Sequence, residues 1–378
     1  MTVVSIQEQE SIRQSARGLV RERAPVAHLR ALRDAHDPRG HSRDLWRAMA
    51  ELGFAGMVVP ERWGGAGLGY AELGIVAEEL GRNLVPTPLL AGALGGGAVA
   101  LGGSDAMRDL VLPALCTGDR VVALALDEGT RFAPYSVTTR AERDGRSFVV
   151  RGDKSFVVEG HLADAFVVVA RTSGAPGDRA GLTLFYVPGD TAGVTTSRLD
   201  LVDSRNVARL RLDGARVDES AVLGTVGGGA DVLDRVLDAA TAILAAEMLG
   251  GMQAAFDRTL EYLKTRQQFG VFIGSFQALK HRAAWMFCEI ELTRSLVLEA
   301  LAALDAGRPD AGALVSAAKA RASDTYILVT NEAVQMHGGV GVTDELDIGF
   351  YLKRARVAEH TLGAASYHRD RFARLRGY

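Results

Sequence analysis

The spacing of apolar residues changes twice along the chain, near Val121 and again at Gly227-Gly228-Gly229. Those two changes restrict the fold more than any other feature. Before Val121 the apolar positions recur every three or four residues, the helical period. This spacing predicts helices over Ser5–Arg23, Asp44–Leu52, Tyr70–Leu80, Leu89–Leu101 and Asp105–Cys116. Gly81 is placed to end one helix, and Pro86 and Pro88 prevent its continuation. From Val121 the pattern shortens to β-branched and aromatic runs: Val121–Leu126, Phe148–Arg151, Phe166–Ala170, Leu182–Val187, Val194–Leu201, Val207–Leu212 and Ala221–Leu223. Asp144-Gly145 and Pro188-Gly189-Asp190 supply turns between them. After the triple glycine the long period returns over Asp231–Thr265, Ser275–Gly307, Asp310–Gln335 and Ile348–His360. Short strands enclosed by helical blocks predict an α+β protein. Its expected parts are an all-helical N-terminal domain over residues 1–120, a small antiparallel β-barrel domain over 121–226 and a four-helix bundle over 227–378.

Composition narrows the function classes. A net charge of −3 gives no electrostatic footprint for nucleic acid or anionic membranes. No apolar run reaches the length of a membrane span, and MTVVSIQEQE does not read as a secretory leader, so a cytoplasmic location is expected. The two cysteines, Cys116 and Cys288, have no metal spacing, and the eight histidines form no ligand cluster; no metal is expected. Pro60–Gly69 is rich in glycine but lacks a leading strand and a following lysine, so it reads as a packing loop rather than a nucleotide cradle.

Arg266-Gln267-Gln268-Phe269-Gly270 opens a stretch that runs on to His281. It combines an arginine, a ring and a helix start carrying Gln277. Helix N-termini present unpaired N–H groups and partial positive charge, and arginine adds a planar fork for phosphate. A plain surface loop before a helix is the other reading of the same residues.

These residues, together with Gln335-Met336-His337-Gly338-Gly339-Val340-Gly341, resemble the two C-terminal signatures of the flavin-dependent acyl-CoA dehydrogenases, in order and spacing. Leu45–Pro60 with its glycine-rich loop resembles that family's N-terminal domain, so the likeness covers nearly the whole chain. The resemblance implies FAD at a subunit interface. Arg266, Phe269 and Gln277 would grip the pyrophosphate and adenosine end, and Gln335, Gly338 and Gly339 would reach the cofactor from a neighbouring subunit. It also implies a dimer or tetramer, homo- or hetero-oligomeric, that desaturates an acyl-CoA thioester between its α and β carbons. A carboxylate removes the α-proton, the flavin takes the hydride, and an unidentified electron acceptor reoxidises the flavin.

The sequence departs from the family where the chemistry lies. The position of the usual glutamate base holds Leu362, in Lys353–Gly363. An alternative base position, counted back from Arg266, holds Ala240. Glu247 lies two turns beyond Ala240 on an apolar stripe, which makes it the candidate base; pairing with an arginine is its other reading. Glu359 and His360 come next. In the central segment the family's TEPxxGSD becomes Asp127–Pro134, with Asp127 and Ala133 where hydroxyls are usual. Its K-x-W-I-T becomes Lys154–Val158. Phe156 keeps a ring for stacking on a flavin, Val158 loses the hydroxyl, and an ionised Asp127 would repel a reduced flavin. These losses suit one partner of a heteromer, or an inactive subunit that binds acyl-CoA.

Overall fold

A computed structural model describes residues 4–378. Helices come first: α1 Ile6–Arg23, α2 Val26–Asp34, α3 Arg43–Glu51, α4 Tyr70–Arg82, α5 Leu89–Ala91, α6 Gly97–Gly102 and α7 Asp105–Cys116. Ser5 starts α1 through a reciprocal cap: its side chain accepts from the Glu8 amide, and Glu8 accepts from the Ser5 amide at 2.7 Å. Between α5 and α6 the five residues Gly92–Gly96 widen into a π turn, so the expected Leu89–Leu101 helix is continuous but not regular.

Eight strands follow: β1 Val122–Ala125, β2 Arg140–Asp144, β3 Ser147–Val158, β4 Ala165–Arg171, β5 Leu182–Pro188, β6 Val194–Asp200, β7 Asn206–Asp218 and β8 Val222–Leu223. Asp144-Gly145 makes the predicted hairpin, with Asp144 opposite Ser147. The expected antiparallel barrel does not form. The order is β6-β7-β3-β2-β4-β5-β8, with β1 beside β4, and no sheet among the described residues closes on itself. Two features keep it open. β1 pairs with β4 in parallel, and β2 meets β4 through the single pair Arg140–Arg171. The terminal strand β6 is mostly exposed and carries Thr195, Thr196 and Ser197, as suits an edge facing water. Phe148, Val150, Phe166, Val168, Phe185 and Leu210 form the core of this sheet.

The C-terminal helices are α8 Ala230–Thr265, α9 Gln277–Asp305, α10 Ala311–His337, α11 Ile348–His360 and α12 Ala365–Leu375, with the small strands β9 Gln267–Gln268 and β10 Val271–Phe272 before α9. There are five helices rather than the expected four, because the chain turns after His360 and starts α12.

By density of contact the chain forms two compact units. One comprises His36–Gly69 and Pro86–Ala240; the other comprises the residues up to Ala35, Tyr70–Val85 and Thr241–Tyr378. In the first, Pro60–Gly69 folds back on its own approach, with Gly67 and Leu68 amides donating to Val59 and Met57 carbonyls, and Trp63 donating to Asp109 at 2.8 Å. It is a packing loop, as its sequence indicates. In the second, α4 and α8 cross at glycines. A Cβ on Gly81 would lie 2.0 Å from the Glu247 carbonyl oxygen, and one on Gly250 would lie 1.8 Å from that of Glu78. Only glycine permits so close an approach. Arg13 and Arg294 both pair with the buried Glu78, and hold its carboxyl below its ordinary range despite burial.

Candidate functional site

The Arg266 stretch is a two-residue hairpin. β9 and β10 pair Gln268 with Val271, and the connecting Phe269 and Gly270 take φ of 55° and 78°. Positive φ at both central positions matches the twist of the flanking strands. Phenylalanine pays a steric penalty there, and its ring stands 91% exposed, meeting Phe276 edge-on at 6.2 Å. Phe276 precedes α9 and provides no side-chain cap, so the helix start carrying Gln277 has uncapped N–H groups. Arg266 is exposed and makes no ion pair among the described residues. An unengaged guanidinium, an unsupported ring and an uncapped helix start are thus gathered at one corner.

The second motif lies at the same end of this unit. Tyr262, one turn before Arg266, stacks on His337 at 4.4 Å and donates to the His337 carbonyl at 3.3 Å. His337 is buried and engages the Ala333 carbonyl through Nδ1, a packing role. Next comes Gly338, with φ of 66° and ψ of −146°, a conformation reserved for glycine. Gly338 and Gly339 are exposed, and a Cβ on either would meet nothing within 4 Å. Gln335 is exposed on the last turn of α10.

The candidate base is not the isolated carboxylate that its helix suggests. Glu247 pairs with Arg354 of α11 at 3.1 Å, with side-chain exposures of 19% and 5%. Ala240 is fully buried. Leu362 sits between α11 and α12 with φ of 57°, nearly buried. Its turn is held from two sides. The buried Lys319 of α10 donates to the Ala358, Glu359 and Gly363 carbonyls at 3.0–3.1 Å, and His368 engages the Leu362 carbonyl at 2.9 Å. Burial pushes Lys319 down to about 7 and His368 to about 3. Glu359 pairs with Arg356 at 3.6 Å, and His360 is exposed.

In the sheet unit, Phe156 is 44% exposed with φ of 54°, where the β3–β7 register breaks between Lys154 and Val157. The Ser155 amide donates to the Asp127 carbonyl at 2.7 Å. Lys154 is completely buried and donates to the Leu126 carbonyl at 3.1 Å and to Glu128 at 2.7 Å. Glu128 also accepts from the Thr138 amide and hydroxyl and the Thr139 amide. Against the cost of burial, Lys154 and these donors hold Glu128 at about 2. Burial lowers Lys154 itself to about 8, against the pull of Glu128. Neither Lys154 as an ion-pair partner nor Lys319 as a clamp was expected. Both had a signal: Lys154 shares the inward parity of Phe148 and Val150, and Lys319 lies on the buried stripe of Val315, Ala322 and Tyr326.

Comparison with known proteins decides the family. The acyl-CoA dehydrogenase N-terminal, middle and C-terminal domains match residues 6–119, 126–214 and 227–375 in turn. Mitochondrial isovaleryl-CoA dehydrogenase of Pongo abelii is 30% identical over 377 residues, covering 96% of this chain and 87% of that one. The chain belongs to the acyl-CoA dehydrogenase family. Acyl-CoA dehydrogenases are FAD-dependent flavoproteins and oxidoreductases. Among solved structures, the ChsE4-ChsE5 complex of Mycobacterium tuberculosis matches with a TM-score of 0.88 and 28% identity over 99% of this chain and 98% of that one. A Tcur3481-Tcur3483 steroid ACAD variant matches with a TM-score of 0.86 and 31% identity, over 98% and 97% of the two chains. No helix among the described residues is long and apolar enough to cross a membrane, and none of their groups of three or more His, Cys, Asp and Glu could hold a metal.

Proposed function

We propose that this chain holds FAD within an acyl-CoA dehydrogenase hetero-oligomer that desaturates an acyl-CoA thioester, and that an unlike partner chain supplies the base. The observation that carries the reading is the state of the three base positions. Leu362 and Ala240 cannot accept a proton, and Glu247 is engaged by Arg354. An ion-paired carboxylate is a weak base, because its charge is already stabilised. Two similar structures bear names joining two unlike components, which supports a pairing of this kind.

The residues present fit the cofactor's phosphate end. Arg266 offers an unengaged guanidinium, the α9 start offers N–H groups beside Gln277, and Phe269 offers a face for an adenine. Gln335, Gly338 and Gly339 leave open space for close backbone approach to a phosphate or to a ligand shared with a neighbouring subunit. In the sheet unit, Phe156 offers a ring against which a flavin can lie. FAD, when bound, supplies the hydride acceptor, and a separate electron acceptor completes the cycle. The chain's own contribution is orientation and exclusion of water. The loss of hydroxyls at Ala133 and Val158 favours a second reading, a subunit that binds acyl-CoA without desaturating it.

Anaerobic flavin bleaching by a panel of acyl-CoA thioesters tests the proposal. The chain alone, loaded with FAD, is expected not to bleach. Leu362→Glu is expected to bleach with at least one thioester, because it restores a carboxylate at a turn already held by Lys319 and His368. Full bleaching by the unmodified chain alone would remove the partner from the mechanism. Silence in both chains would favour the second reading.

A further inference from the structure

Asp127 stands apart from the charged groups around it. Lys154 on β3 and Glu128 on the Asp127 loop satisfy each other, and Glu128 takes three further donors from Thr138 and Thr139. The Asp127 carboxyl accepts no hydrogen bond among the described residues, although it is half-buried. Its backbone is fixed: the carbonyl takes the Ser155 amide at 2.7 Å, one residue before the exposed Phe156 ring. One backbone hydrogen bond thus ties Asp127 to the residue preceding Phe156, at the place where the β3 ladder is broken and φ turns positive. A strained residue that holds its ring outward, on backbone tied to a residue whose acid accepts no hydrogen bond among the described residues, is an arrangement that suits a ligand.

We propose that Asp127 acts as a carboxylic acid toward the flavin ring, donating a hydrogen bond to a ring carbonyl or ring nitrogen seated by Phe156, so that FAD binding draws one proton from solvent. This rests on the reading that the chain holds FAD. The acid form fits its surroundings. Burial raises Asp127 to about 6, Lys154 pulls it down, and Glu128 pushes it up; these are the charged groups that act on it. An ionised carboxylate would place negative charge against electron-rich ring oxygens and would repel the ring further once reduced. The protonated form removes that conflict and supplies the donor that the hydroxyl-lacking Val158 does not. At pH 7.5 the free chain holds Asp127 almost wholly ionised, so the proton must be taken up as the ring binds.

Calorimetric titration of the full-length chain, stripped of flavin, tests this. FAD is added at pH 7.5 in phosphate and in Tris, whose ionisation heats differ. Uptake close to one proton is expected for the unmodified chain and close to none for Asp127→Asn. ADP, which lacks the ring, should take up none in either. Independently of any variant, FAD affinity should weaken by up to about tenfold per pH unit above about 6. Tight FAD binding without proton uptake, or equal uptake in Asp127→Asn, would overturn the role of Asp127 and leave the cofactor reading intact. Failure of both FAD and ADP to bind would overturn the cofactor reading as well.

Discussion

Gly250→Ala separates two effects of opposite sign at one position. Gly250 lies in the middle of α8, where alanine is favoured over glycine by roughly 1 kcal/mol. The added Cβ, however, would lie 1.8 Å from the Glu78 carbonyl oxygen, 2.7 Å from its carbon and 3.0 Å from the Arg82 amide. All three atoms are backbone, so no rotamer change relieves the clash. To reach even 3.0 Å from that oxygen, α4 and α8 must part by about 1 Å in a tightly packed contact. Overpacking of this kind costs about 1–3 kcal/mol, and more where backbone must move. Parting the helices also disturbs Glu78, which anchors Arg13 and Arg294. Set against the gain from alanine, the upper end of that cost leaves a net destabilisation of about 2 kcal/mol. Gly18→Ala is the control. Gly18 is exposed on α1 in the same compact unit, and its Cβ would meet nothing within 4 Å, so a gain of about 0.5–1 kcal/mol is expected. Both variants are read by urea unfolding with circular dichroism, by midpoint and slope. The two should fall on opposite sides of the parent. If Gly250→Ala proves as stable as Gly18→Ala, α4 and α8 do not approach backbone to backbone at Gly250.

Two further outcomes follow from the site. Arg266→Ala should weaken FAD binding by roughly tenfold to a hundredfold, the range for losing a charge-assisted hydrogen bond, and fluorescence titration with FAD checks it; unchanged affinity would exclude Arg266 from the phosphate end. Glu128 titrates near 2 in the folded chain and near 4.5 when unfolded, so the unfolded chain binds the extra proton between those values. Its contribution, about 3 kcal/mol, is present above pH 4.5 and lost as pH falls through 2. Glu128→Gln should therefore show a shallower fall in stability across that window, yet lower stability at pH 7, where the buried Lys154 loses its carboxylate. Acid titration followed by circular dichroism distinguishes this from parallel curves, which would deny the pairing.

What could be read from the sequence was local, and what could not was long-range. The change of period at Val121 anticipates β1 at Val122 because alternation is a property of neighbouring residues. Sheet closure is not local: β1 pairs with β4, whose register partner Ala165 lies some forty residues on, and nothing near Val122 says that the pairing is parallel. Arg266–Gly270 reads as an exposed turn, but Phe269-Gly270 lacks the usual Asn-Gly hairpin signature, so the pairing of β9 with β10 across it was not legible. Glu247 shows the same limit. The stretch Ala239–Gly251 around it carries no other charge, which suggests an isolated carboxylate, but its partner Arg354 enters from a helix over a hundred residues later.

The base position shows how these limits combine. Leu362 tells a reader only that no proton can move there. The structure adds that the turn keeps a left-handed residue, nearly buried, with its flanking carbonyls gathered by Lys319 and His368. A leucine gains nothing from positive φ, a region costly for residues with a Cβ. The surroundings impose the conformation, and they impose it whatever side chain position 362 carries. On the reading proposed above, what this chain lacks at that turn is one carboxylate rather than the backbone conformation that would hold it. That is why a single substitution, Leu362→Glu, is expected to separate a chain that depends on its partner for a base from one whose fold has lost the site altogether.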